Sequence, residues 1–225
     1  MSVDLQVKTL DFSEDEAYLR SLLGGALVAD WRMALIARGL GWHVSVGEST
    51  TPIVGGGNGT VFDAEQSELS ISIPSGYAMI PLRIAVEVQI GLQTTDSHEN
   101  EIIIVADRAA VSTASGSTGT VETPMNMRTD LATTCPLTCV SANTSDHGTP
   151  TVSAELARRQ ALTDLQGIAA NMMVTVFDLV YEPLHPPVFI GPAAVYTYFC
   201  GSIAPSGFIQ ASFLAIPSTL LTALR

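Results

Sequence analysis

The sequence predicts an all-β domain, a sandwich or barrel of about eight strands, with one helix before it and one inserted late. Two observations carry this prediction. Apolar and polar residues alternate in successive short runs, the pattern of strands with one buried face. Clusters of Gly, Pro, Asn, Asp and Ser separate most of those runs. A length of 225 residues suffices for a substantial core, and no linker divides the chain cleanly. The expected organisation is a helical arm over residues 1–41 followed by a β-sandwich domain over 42–225.

The arm opens on Ser13-Glu14-Asp15-Glu16, a capping box in which Ser13 and Glu16 satisfy free backbone N–H groups reciprocally. Three acids in this first turn also suit the positive end of a helix. Tyr18, Leu19, Leu22, Leu23, Ala26, Leu27, Trp31, Leu35 and Ile36 then recur at helical spacing until Gly39-Leu40-Gly41. Such a helix packs either on its own domain or on a neighbour.

After Gly41 the period becomes two. "WHVSVG" and "SELSISIP" alternate, and a turn at Pro74-Ser75-Gly76 leads into "YAMIPLRIAVEVQIGLQ". In that run Ile84, Val86, Val88 and Ile90 share one face, while Arg83, Ala85, Glu87 and Gln89 share the other. Pro81 has no N–H to give a central ladder, so it marks an edge, a bulge or a strand start. "EIIIVADRAAVS" is apolar enough at its start to be covered on both faces. Short strands are expected near 119–123 and 133–141. The composition of "SAELARRQALTDLQGIAA", residues 153–170, predicts the late helix. "NMMVTVFDLVYEP", "PVFIGPAAVYTYFCGS" and "GFIQASFLAIPS" complete the strands.

Composition excludes some partners. The chain is 47% hydrophobic but only 14% charged, against about 25% charged in an ordinary domain. Ser and Thr cover part of the difference, and burial against other subunits would account for the rest. The net charge is -12, Lys8 is the only lysine, and Arg158-Arg159 is the nearest approach to a basic cluster. Nothing here matches the clustered cations that direct nucleic-acid binding requires. The first residues have neither the basic start nor the apolar core of a secretory signal, and no apolar run is long enough to span a membrane. An odd count of cysteines, Cys135, Cys139 and Cys200, predicts reduced thiols rather than a disulfide framework.

Several motifs invite a chemical reading. Gly55-Gly56-Gly57-Asn58-Gly59 looks like a phosphate loop, but no lysine follows Thr60 and the next residues lead to a strand. It reads as a flexible loop. Cys135, Cys139 and His147, with His185 or Cys200, could ligate a metal. An extended segment nevertheless separates Cys135 from Cys139 by about 13 Å, too far for one tetrahedral ion. Asp96, His98, Glu99 and Glu101 form a polar loop tip that also resembles an acid–base set. No G-x-S-x-G elbow occurs. Sequons at Asn58 and Asn143 read as chance. Tyr181, Phe189, Tyr196, Tyr198 and Phe199 are expected in the sandwich core rather than around a ligand. The sequence thus predicts no catalytic residues, no metal, no cofactor and no enzyme activity.

The succession "SELSISIPSGYAMIPLRIAVEVQIG", "NEIIIVADRAAV", "NMMVTVFDLVYEP", "PVFIGPAAVYTYFC" and "GFIQASFLAIPS", with a helix before the last strands, resembles the single jelly-roll capsid proteins of icosahedral viruses. It covers residues 42–216. The resemblance implies a jelly-roll sandwich and a structural virion protein, made in host cytoplasm. Such a subunit self-assembles as a trimer or pentamer into a shell, alone or with other virion proteins. An acidic arm stands where many such proteins carry an arginine-rich one, which implies a membrane or another protein between shell and genome. The loops at 51–63, 93–100 and 141–150 are candidates for the exposed surface. A carbohydrate- or receptor-binding sandwich, such as a spike or fibre head, is the alternative.

Overall fold

The computed structural model describes residues 31–48, 50–55, 64–90, 97–108, 119–142, 150, 152–164, 175–201 and 205–222. The arm's capping box and most of its apolar stripe lie outside the described residues. Residues 1–34 group separately from Leu35–Arg225, and the sandwich belongs to the second unit.

Helix α1 (Trp31–Ala37) leads into β1 (Gly41–Val46), β2 (Ile53–Val54), β3 (Leu69–Ile73), β4 (Tyr77–Ile90) and β5 (Ser97–Asp107). Three short strands follow: β6 (Thr120–Glu122), β7 (Met125–Asn126) and β8 (Thr138–Ser141). Then come β9 (Val152–Asp164), β10 (Thr175–Tyr181), β11 (Phe189–Ile190), β12 (Ala193–Gly201), β13 (Ser206–Pro217) and helix α2 (Ser218–Thr222).

Eight of these strands form the frame, and their pairing is nested. The first pairs with the last, β1 with β13, and the second with the seventh, β3 with β12. The third pairs with the sixth, β4 with β10, and the fourth with the fifth, β5 with β9. Every pairing is antiparallel, so the frame is one long hairpin. Rolling that hairpin brings β13 against β4 and β12 against β5. One sheet then has the order β10-β4-β13-β1-β7, and the other β6-β8-β3-β12-β5-β9. This is the jelly roll.

Alternation fills the space between the sheets. Trp42, Val44 and Val46 of β1, Ile84, Val86 and Val88 of β4, Ile102 and Ile104 of β5, and Ile209, Ala211 and Phe213 of β13 belong to one buried cluster. The run at the start of β5 is covered on both faces, because Ile103 and Val105 join Ala194, Tyr196 and Tyr198 in a second buried cluster. On the far side of the first sheet, Ile80, Leu82, Leu214 and Ile216 pack with Leu35 and Ile36. Pro81 sits inside a central strand at a bulge, where the register slips opposite Ser212 and Phe213. The bulge is what a proline without an N–H requires there.

Between β5 and β9 the chain makes an excursion along the opposite side of the roll. β8 adds to β3 and β6 to β8, while β7 adds to β1. Residues 120–126 therefore form the edge of both sheets in turn. On the other side, Arg159 of β9 ties the two sheets together. Its guanidinium lies 5.1 Å from the Phe177 ring centroid and 2.9 Å from Asp178 Oδ1 of β10.

Three expectations are corrected. The late helix predicted over 153–170 is strand β9 as far as Asp164, paired with β5 throughout. Its register slips twice, and Leu156 and Ala157 both turn inward, so two bulges erase the alternation that would have marked a strand. Tertiary pairing overrode a helix-forming composition. The polar tip at 93–100 is also shorter than expected, because β5 already begins at Ser97. At the other short strand, β8 covers only Thr138–Ser141, leaving Cys135 in the preceding loop.

Candidate functional site

The period of β1 that buries Trp42, Val44 and Val46 turns His43 and Ser45 to the outer face of the first sheet. Antiparallel register then sets Ser212 of β13 beside His43, and Arg83 of β4 beyond Ser212. His43 Nδ1 lies 3.0 Å from Ser212 Oγ, and Nε2 lies 3.0 Å from Ser45 Oγ. One ring nitrogen donates and the other accepts; which does which is set by tautomer. Partial burial lowers the His43 pKa, and the Arg83 charge lowers it further. The imidazole is therefore neutral at pH 7.

A neutral imidazole on a serine hydroxyl is the contact from which a nucleophile is made. Such a pair acts on an acyl group when an acid orients the ring and free N–H groups receive the oxyanion. Here serines occupy both ring nitrogens, and the backbones of β1 and β13 pair with each other in the sheet. The cluster amounts to a polar strip on a strand face. Sequence reading missed it because the contact spans 169 positions and depends on register.

The residues singled out in the sequence are dispersed. Gly55 is held where its N–H donates to Pro205 O at 2.7 Å, and a Cβ there would stand 2.8 Å from Phe199 O. The rest of the glycine run lies outside the described residues, as do Asp96, Asn143 and His147. Cys139 faces the core from β8, while Cys135 and Cys200 are half-buried. Burial pushes the Cys135 thiol up to about 11 and the Cys139 thiol further still. Neither is a thiolate at neutral pH, the form a metal or an electrophile would need. Among the described residues no group of three His, Cys, Asp or Glu side chains is placed to hold a metal ion.

Glu101 is a strand residue that pairs with Arg158, which also binds Glu155 at 2.7 Å. Its neighbour Asn100 is 1% exposed, and neither its amide oxygen nor its amide nitrogen has a hydrogen-bond partner. The aromatic group divides. Phe189 and Phe199 are in the central core with Tyr181 packed against it. Tyr196 and Tyr198 instead lie on the outer face of the second sheet, ring centroids 6.1 Å apart. Tyr198 donates to Ala64 O at 2.8 Å, and burial with the Asp107 charge pushes Tyr196 up to about 12.

The surface is more informative than these side chains. Alternate residues of the 120–127 segment point outward, so Val121 (71% exposed), Met125 (67%) and Met127 form an apolar stripe. A second exposed apolar series, Val180, Leu184 (81%), Val188 and Ile190 (56%), follows β10 and β11. The second series borders the first sheet at β10 and β11; the first lies on the opposite side of the roll, with Val121 on β6 at the edge of the second sheet and Met125 on β7 at the edge of the first. No described helix is long and apolar enough to cross a membrane. No protein-family model, curated protein or solved structure matches the chain.

Proposed function

We propose that this chain is a structural subunit that self-associates into a closed shell, the capsid of a virion. The observation that carries the reading is the nested eight-strand roll, an architecture that capsid domains use. A fold of this kind serves several functions, so the warrant is an analogy of architecture. The chain's own chemistry supports it. A chain with only 14% charged residues has few hydrated ions to desolvate when subunits close on one another. A net charge of -12 with one lysine gives the genome no foothold, so the shell would enclose a membrane or another protein layer. Assembly would take place in the host cytoplasm, where free thiols stay reduced.

Light scattering on the eluting native protein, with negative-stain microscopy of the heaviest fraction, tests the reading. Trimers, pentamers or closed particles are expected. A monomer at every concentration and salt level overturns it.

A further inference from the structure

Edges of sheets are hazards unless they are blunted, usually by lysine, proline or a covering loop. In this sandwich the first sheet ends at β10 on one side, and on the other side of the roll the first sheet ends at β7 and the second at β6. The chain's one lysine, Lys8, is on none of these strands. Prolines interrupt both margins, Pro124 on one and Pro183, Pro186 and Pro187 on the other, yet both carry large apolar side chains in the open. Val121, Met125 and Met127 line one, and Val180, Leu184, Val188 and Ile190 line the other.

We infer that the 120–127 margin of one copy seats on the 180–190 margin of the next, head to tail. This rests on the self-association proposed above and adds which surfaces make the contact. Area favours a second copy as the occupant. At roughly 100 Å² for each exposed aliphatic side chain, the seven residues offer on the order of 700 Å² of apolar surface, the non-polar share of an interface of about 1,200 Å². That is the lower bound for a specific, stable contact. Geometry favours head-to-tail over like-on-like pairing. A two-fold contact through either margin leaves the other apolar margin in water, whereas a heterologous contact covers both with one kind of interface. Repetition of that contact closes a ring or extends a layer.

The test uses two double variants of the full chain, Val121→Glu with Met125→Glu, and Leu184→Glu with Ile190→Glu. Each has one margin charged and the other intact. Light scattering should show the wild type in higher-order species and each variant alone as a monomer. A 1:1 mixture should stop at a heterodimer, since only one competent pair of margins remains. If either variant alone keeps the wild-type mass, or the mixture fails to pair, the inference is wrong. Wild-type protein that never associates overturns the shell reading instead, so the two failures are distinct. Circular dichroism and melting check that the variants fold. Hydrogen exchange on assembled against dissociated wild type needs no variant, and must show new protection in both 120–127 and 180–190.

Discussion

His43 is partly buried and has Arg83 nearby, so folding favours its neutral form. Its folded pKa lies below the unfolded value of about 6.5, and the unfolded chain therefore binds more protons between the two. Stability from this group is complete above about pH 6.5 and is lost as pH falls through the folded pKa. Melting temperature should drop more steeply from pH 7.5 to 5 in the wild type than in His43→Gln. Equal slopes would mean that the site does not titrate with folding. Asn100 presents the opposite case, a neutral group with nothing to bond. Its neighbours in register are Ala161 and Gly201, and its amide has no partner on either atom. An unsatisfied buried amide costs about 1–3 kcal/mol. Asn100→Val, apolar and only slightly larger, should raise stability by about 1–2 kcal/mol in urea unfolding. A loss instead would show that the amide is bonded to something in solution.

Connections between strands can be as tightly fitted as the strands they join. Gly191, between β11 and β12, donates to Tyr77 O, and a Cβ added there would lie 2.1 Å from Pro74 O and 2.7 Å from Ile73 O. Those atoms are backbone of the β3–β4 turn and cannot rotate away. Gly191→Ala should therefore destabilise by about 2–3 kcal/mol, the cost of forcing two connections apart, read as a fall in the urea midpoint at constant slope. Nothing in the sequence singled this glycine out, since its constraint comes from a turn more than a hundred residues away. What was legible is local. Ile84, Val86 and Val88 declared their face because β4 is regular there, and Ile102 to Val105 declared burial on both faces by sheer apolarity. β9 was not legible, because bulges broke its period and Ala, Leu, Arg and Gln favoured a helix. The His43–Ser212 contact and the apolar margins exist only once register and strand order are fixed.

A subunit that carries a net charge of -12 repels its own copies. If the contacts between copies are apolar, as the open margins imply, then attraction is nearly independent of salt while repulsion is screened within about 10 Å at 0.1 M and about 3 Å at 1 M. Association should therefore strengthen with added salt. It should strengthen also as pH falls from 7 toward the sequence pI of 4.5, down to the point where His43 and the carboxylates begin to cost stability. Ion-paired contacts, or contacts made through a bound polyanion, have the opposite sign, because salt weakens them. The measurement is weight-average mass by light scattering between 0.05 and about 1 M sodium chloride at pH 7. Mass rising with salt fits apolar edges brought together against long-range repulsion. Mass falling with salt would place ionic groups at the contact, and the exposed Arg83–Glu182 and Arg128–Asp130 pairs would then be the first to exchange partners between copies.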